Sequence, residues 1–569
     1  MYNRQGRENK GEIRSHCAGY NRKVILCSAP KKSHLCGHNS FFLPIYLVLQ
    51  IFCSTFAAEL IETMGKRVSF GQTRQLVGAI LGPACAAAIW LSPISGLDGP
   101  EHRLLAIMSL VAIWWITEPV PIPVTSLLGP MLCVLCGVAP MKEAFASFAT
   151  PMIFLFMGGF MIAKGMMVNG LDKRLAYGII SMRWVGDSPR RIFLAVGCAC
   201  MLCSGWISNT ATAAMMFPIA LGLLEAIRAM QAVNGKTIDL NNYKYATGLM
   251  LMTAYACSIG GVLTPIGTPP NIIMLGFLHE MAPQAPDVSF FEWMIWGSVA
   301  MVVYFAVAYA VLWKMFPADV AHIKGASEFI RKNVQELGPW TRAQKNTLIA
   351  FLVAVVLWVT PGVLGVIFGG ESEVVKTYNT YIPEELAALI GGMLLFFMPV
   401  DLKKGKMTLS WKDGVEGIEW GTLLLFGGGL AMGSMMYSTG LSAWVGDGLK
   451  HMLGEHPNEW MFVGVFCVSA LILSELTSHT ASTNLLAPIA IGTALSLGFS
   501  PIPVAIGIAL SSSLGFMMPV STPPNAIVYA SGYVPLMKMV KSGAIIDLIG
   551  ILLITIPIVM LLVKWVIGL

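Results

Sequence analysis

The chain has 569 residues, of which 56% are hydrophobic and only 12% charged, and its formal net charge is +6. Soluble domains carry roughly 25% charged residues, so this composition excludes an ordinary soluble globular protein. The surplus of Lys and Arg fits the cytoplasmic loops of a polytopic helical membrane protein better than a nucleic-acid patch.

Residues 1–39 hold eight Lys or Arg against two Glu, and "FFLPIYLVLQIFCSTFAA" follows at 41–58. If 41–58 spanned from the cytoplasm, Lys66, Arg67 and Arg74 would lie outside, against the positive-inside bias. Residues 1–63 are therefore expected to be an N-terminal extension, disordered or upstream of the true start. Met64 begins "MGKRVSFGQTR", a basic entry to a first helix.

From residue 75 the apolar segments run 75–96, 103–118, 122–140, 152–171, 192–227, 245–278, 293–316, 346–369, 384–399, 421–441, 461–497, 503–531 and 543–567. A crossing needs about 20 residues, so 192–227 and 461–497 are too long for one span each. Each carries a polar triplet near its middle, "SNT" at 208–210 and "SHT" at 478–480. Read as re-entrant hairpins, they leave eleven crossings. With the amino end inside, Lys173, Arg174, Arg190, Arg191, Lys324, Arg331, Lys332, Lys403, Lys404, Lys406, Lys538 and Lys541 then fall on the cytoplasmic side. The expected fold is all-α with about eleven transmembrane helices and two hairpins, multi-pass in the cell membrane, N-terminus cytoplasmic.

The halves repeat. "LFMGGFMIAKGMMVNGL" (155–171) aligns with "LFGGGLAMGSMMYSTGL" (425–441) at an offset of 270, which SNTAT (208–212) and SHTAS (478–482) share. A third pair follows in order, "TPIGTPPNII" (264–273) and "MPVSTPPNAI" (518–527). Five crossings plus a hairpin per unit force opposite orientations, and such inverted repeats are characteristic of secondary transporters, with the site at the midplane. The expected organisation is a first transmembrane helix in 64–100, repeat 1 over 101–317 with hairpin 192–227, a cytoplasmic loop at 318–345, and repeat 2 over 346–569 with hairpin 461–497.

Paired prolines break a helix, and broken helices persist in a membrane where they line a cavity or are buried in protein. The expected breaks are at 266–271 and 520–525, where half-helix N-termini offer N–H groups and partial positive charge to an anion. Asn amides and Ser or Thr hydroxyls supply both donors and acceptors, matching a carboxylate and a desolvated cation. Alternatively, Ser and Thr back-bond to helix carbonyls, as is common in membranes; two triplets, each followed by its own TPPN, favour the site. The twelve cysteines and nine histidines are dispersed and suggest no metal centre or disulfide framework. There is no phosphate-binding GxxxxGK[ST], no enzyme signature and no sign of an organic cofactor. Of the other polar residues in apolar runs, Glu118 is expected to end a helix; Lys164 can snorkel, pair or meet substrate; Glu475 can tie hairpin to helix or add charge near a cation.

SNTAT, SHTAS, the two TPPN segments and "TEPVPIP" (117–123) resemble the divalent anion/sodium symporter family, the INDY-type sodium–dicarboxylate cotransporters, from about Met64 onward. The resemblance implies a homodimer whose transport domain slides against a scaffold in an elevator cycle. It implies sodium, as coupling ion, at Ser204, Ser208, Asn209 and Gly267, and again at Ser474, Thr477, His479 and Ser521. It implies carboxylate contacts at Asn209, Thr210, Thr268 and Pro269, and at His479, Thr480, Thr522 and Pro523. One departure stands out: the family usually has Asn where this chain has His479, and neutral imidazole offers nitrogens rather than an oxygen. The reading is sodium-coupled symport of C4-dicarboxylates such as succinate, malate and fumarate. A sodium-independent exchanger, or a citrate or sulfate carrier, stays open.

Overall fold

The computed structural model describes residues 70–233, 243–320, 322–323, 325–370, 372–453 and 458–568. The expected extension at 1–63 lies outside these residues. The described part is almost wholly helical, apart from a two-stranded hairpin of Pro399–Asp401 with Lys406–Met407.

Helix α1 (Phe70–Leu91) packs along α2 (Pro100–Thr117). Glu118 caps α2 with a left-handed φ of 53°, because Pro119 disfavours a further helical residue before it. Its carboxylate holds Arg74 of α1 at 3.2 Å, so it is a structural helix-end residue. The chain then turns into α3 (Ile122–Leu135), α4 (Pro151–Val168) and the amphipathic α5 (Leu171–Ile180).

The first long apolar segment is two helices, α6 (Pro189–Ser204) and α7 (Asn209–Val233), separated by the turn 205–208. Next come α8 (Lys244–Gly261), α9 (Pro269–Met281) and α10 (Phe290–Met315). The segment expected as a loop, 318–345, holds the amphipathic α11 (Ala326–Glu336). Asp187 fixes its start, accepting from Ser327 N and Oγ at 2.9 and 2.6 Å. Then follow α12 (Arg342–Phe368), α13 (Glu373–Tyr381) and α14 (Glu384–Phe397).

The second series repeats the first: α15 (Trp420–Ser438), α16 (Leu441–Leu453), α17 (Glu459–Leu476), α18 (His479–Ser496), α19 (Pro501–Ser512) and α20 (Pro523–Ala530). It ends with α21, whose regular part is Leu536–Gly550 within one long helical span, Leu536–Ile567. Among the described residues, seven helices are each long and apolar enough to cross a bilayer, and the bent pair α13–α14 makes an eighth.

The two series interlock. Helix α4 packs on α14, and α15 packs on α3. In the first pair Gly158 lies against the Ala388 backbone; in the second Gly428, 270 residues on, lies against that of Ser126. A Cβ at either glycine would overlap backbone, so both are close approaches of the kind that bring membrane helices together. Likewise α9 packs on α18 and α20 packs on α7, each helix after a TPPN meeting the helix that begins at the polar triplet of the other half.

Candidate functional site

The breaks differ in place from the sequence expectation. Helix α8 stops at Gly261 and α9 starts at Pro269, so the first break is 262–268 rather than 266–271. The second is 513–522 rather than 520–525. The prolines do not occupy the breaks; they are the first two residues of α9 and α20, following Thr268 and Thr522 in extended conformation. Proline is favoured at a helix start because its φ suits the helix and its missing N–H has no helical partner there.

That placement changes the donor inventory. Two prolines remove two of the four orphan N–H groups at each start, and Asn271 N bonds to Thr268 O at 3.2 Å. The TPPN helices thus present a dipole with few N–H donors. The N–H groups left open lie instead at the starts of α7 and α18: among the described residues, those of Asn209, Thr210, His479 and Thr480 have no hydrogen-bond partner. Ser208 and Ser478 cap these two helices, accepting from Ala211 N at 3.4 Å and Ala481 N at 3.2 Å.

In the first half, Ser204 Oγ donates to Asn209 Oδ1 at 2.6 Å, and Asn209 Nδ2 reaches Thr268 Oγ1 at 3.4 Å. Ser204, Asn209 and Thr268 are all buried. Gly261 lies so close to the Asn209 amide that a Cβ there would overlap it, and Gly267 abuts the Gly261 carbonyl. The turn before Ser208 is tied to the break by Thr264 Oγ1 donating to Gly205 O at 2.6 Å. Four elements thus bring Ser204, Asn209, Gly267 and Thr268 together. Thr210 lies exposed beside them and Pro269 half-buried.

In the second half Ser474 Oγ donates to Ser512 O at 2.6 Å, and Ser521 Oγ to Gly515 O at 3.3 Å. Gly515 sits against Ser521 Oγ, Glu475 Oε1 and Ser474 Oγ. Thr477 Oγ1 back-bonds to Leu473 O at 2.8 Å, which leaves its oxygen's lone pairs free. His479 is buried with Nε2 unpartnered. Thr522 is buried, Thr480 half-buried and Pro523 exposed; no side-chain hydrogen bond joins Thr480 or Thr522 to the other site residues among the described ones.

The asparagines of the two TPPN segments, missed as sequence candidates, hold the breaks in shape. Asn271 Nδ2 donates to Gly261 O and Thr264 O at 3.0 and 2.8 Å; Asn525 Nδ2 donates to Gly515 O and Met518 O at 3.2 and 3.1 Å. Their recurrence in both halves was the available signal. Glu475 ties α17 to the second break, accepting from Met517 N at 2.8 Å and Met518 N at 2.9 Å. The Lys164 stem lies against Gly417, apart from these residues. The described cysteines are unbridged, and no group of three His, Cys, Asp or Glu among the described residues could hold a metal.

The profile of the sodium:sulfate symporter transmembrane region matches residues 74–569, which include every residue of both clusters. The chain belongs to this family. It is therefore a membrane transporter and not an enzyme. Among this family's curated proteins, the sodium-dependent dicarboxylate transporter SdcS of Staphylococcus saprophyticus is 34% identical over 485 residues, 84% of this chain and 90% of the relative. SdcS of Staphylococcus aureus MRSA252 is 32% identical over 488 residues, 85% and 90% respectively. In fold alone, the symporter is similar to the solved YdaH transporter of Alcanivorax borkumensis, with a TM-score of 0.50, 16% identity, and 86% and 98% of the two chains covered. It is similar again to MtrF of Neisseria gonorrhoeae, with a TM-score of 0.51, 13% identity, and 83% and 97% covered.

Proposed function

We propose that this family member is a sodium-coupled symporter of C4-dicarboxylates such as succinate, malate and fumarate, as the names of its SdcS relatives suggest. The observation that carries the reading is the buried cluster of Ser204, Asn209 and Thr268 against the carbonyls of the first break. Sodium takes the place of the Ser204 proton donor at Asn209 Oδ1, with the Ser208 hydroxyl and the Gly267 backbone completing the shell. The second ion takes Ser474, Thr477 and Ser521 with the Gly515–Met518 carbonyls. His479 contributes through its backbone there, because neutral imidazole is a poor sodium ligand.

The dicarboxylate lies between the two hairpin arms, one carboxylate on Asn209, Thr210, Thr268 and Pro269, the other on His479, Thr480, Thr522 and Pro523. The free N–H groups at the starts of α7 and α18 face each carboxylate with the positive ends of two helix dipoles. Sodium beside each carboxylate offsets the dianion's charge, so neither species enters the dry site cheaply alone. That mutual need is the coupling. No acidic residue forms an ion pair with His479 among the described residues, so a charged imidazole would be uncompensated whenever the dianion is absent, which favours symport over sodium-independent exchange.

The architecture in this reading is eleven crossings and two re-entrant hairpins in an inverted repeat, N-terminus cytoplasmic. A homodimer carries two sliding transport domains, each holding the hairpins and broken helices, in an elevator cycle. The interlocking of α9 with α18 and α20 with α7 supports one rigid moving body around the site. Counterflow and net uptake of labelled succinate in proteoliposomes, with and without a sodium gradient, test the function. Uptake indifferent to sodium would assign exchange instead.

A further inference from the structure

Away from the proposed transport site, the amphipathic α11 and the turn at 181–188 enclose a cavity beside the membrane. Helices α4 and α10 end at Val168 and Met315, and α12 starts at Arg342; all three are long and apolar enough to cross a bilayer. Helix α5 and the turn follow the first, and α11 lies between the other two. Ser327 donates to Asp187, and Arg174 Nη2 donates to Leu337 O and Gly338 O, both at 2.9 Å, so the two segments share one membrane face. The cavity between them measures about 380 Å³. Ile180, Met182, Ile330 and Val334 make its apolar wall, and Arg183 and Arg331 its charged side.

The lining decides what the cavity can take. It includes no Asp or Glu. Both arginines are exposed, and among the described residues neither side chain forms an ion pair or a hydrogen bond. A guanidinium presents a planar fork of donors that matches the oxygens of a phosphate. Bare phosphate would leave the apolar wall against water, whereas a phosphate ester with a hydrocarbon tail would cover it. Trp184 stands beside that wall, its Nε1 3.3 Å from Met182 Sδ, and the two side chains are 41% and 48% exposed. Exposed Trp of this kind belongs at the headgroup level of a bilayer. Arg191 Nη1 holds the turn, donating to Trp184 O at 2.9 Å. Residues 171–191 carry five Lys or Arg against two Asp, a balance that suits the anionic cytoplasmic leaflet.

We propose that this cavity binds the phosphate of an anionic phospholipid, held by Arg183 and Arg331, with its tail passing over Met182 and Trp184 into the bilayer. The two arginines come from different segments, so the bound headgroup fastens α11 to the turn 181–188. Helix α11 also packs on α5 and on α7, where Phe329 lies against Gly222. The lipid therefore steadies the far end of the helix that begins at the SNT triplet.

Native mass spectrometry of the purified full chain, titrated with phosphatidylglycerol or with phosphatidylcholine of the same acyl chains, tests the site. The wild type is expected to prefer phosphatidylglycerol. The double variant Arg183→Gln, Arg331→Gln should weaken that binding about tenfold or more, with phosphatidylcholine binding and Tm unchanged. Equal phosphatidylglycerol affinity in the wild type and the double variant would overturn the proposal. Lys332→Gln removes a charge from α11 that does not line the cavity and should leave the affinity unchanged. A loss as large as that of Arg331→Gln alone would make the attraction a diffuse surface effect and overturn the site. Glycerol 3-phosphate and inorganic phosphate separate the two sources of the headgroup chemistry. Arginine-dependent binding of either, with no preference for phosphatidylglycerol over phosphatidylcholine, would assign a soluble phosphate and refute the lipid. Binding is read without transport, so the outcome is independent of the transported species.

Discussion

Replacing Asn209 by Ala tests the site at its most connected residue. The amide oxygen accepts from Ser204 at 2.6 Å, the amide nitrogen reaches Thr268 at 3.4 Å, and the side chain is 7% exposed. In the proposed cycle the same oxygen holds sodium and the same nitrogen holds a carboxylate. Truncation therefore removes two polar interactions in a dry site and leaves the buried Ser204 hydroxyl without its acceptor. Each such loss costs about 1–3 kcal/mol. Two together amount to about 2–6 kcal/mol, or between roughly 30-fold and 10⁴-fold in coupled binding. The assay is sodium-driven succinate uptake in proteoliposomes, with monodispersity and Tm as controls for folding. The expected result is uptake near background in a folded, inserted protein. Uptake within a few-fold of wild type, at the same sodium dependence, would refute the assignment of both ligands to Asn209.

Gly261→Ala places a methyl group against the Asn209 amide; overpacking of this kind costs about 1–3 kcal/mol, so uptake should fall about tenfold or more, checked by transport and by Tm. Asn271→Ala and Asn525→Ala each remove two amide hydrogen bonds to break carbonyls; at about 0.5–1.5 kcal/mol per bond, each variant should lose about 1–3 kcal/mol of stability, read by thermal unfolding, together with most transport. His479→Asn puts an amide oxygen where the buried imidazole now stands and should raise apparent sodium affinity severalfold in uptake titrations; an unchanged sodium dependence would place His479 outside the cation's reach.

Sequence alone determined the class and the repeat, and it named the candidates for the site. Composition and run length fix a membrane protein because every spanning backbone group must be satisfied within a helix. The offset of 270 that joins SNTAT to SHTAS also joins Gly158 to Gly428, whose close approaches to other helices are equivalent. Ser204, Asn209, Gly267 and Thr268 are implied by the family resemblance, and the fold brings them together. Only the tertiary structure decided what the motifs do locally. Proline pairs read as breaks in one dimension, yet here they begin helices, and the N–H groups left without partners among the described residues stand at the starts of α7 and α18. The stapling roles of Asn271 and Asn525 depend on carbonyls that a chain break exposes some seven to ten residues upstream. The tie between Glu475 and Met517 N joins residues 42 apart in sequence. No periodicity encodes that tie, because the loss of water around the buried Glu475 carboxyl exists only once the helices have packed.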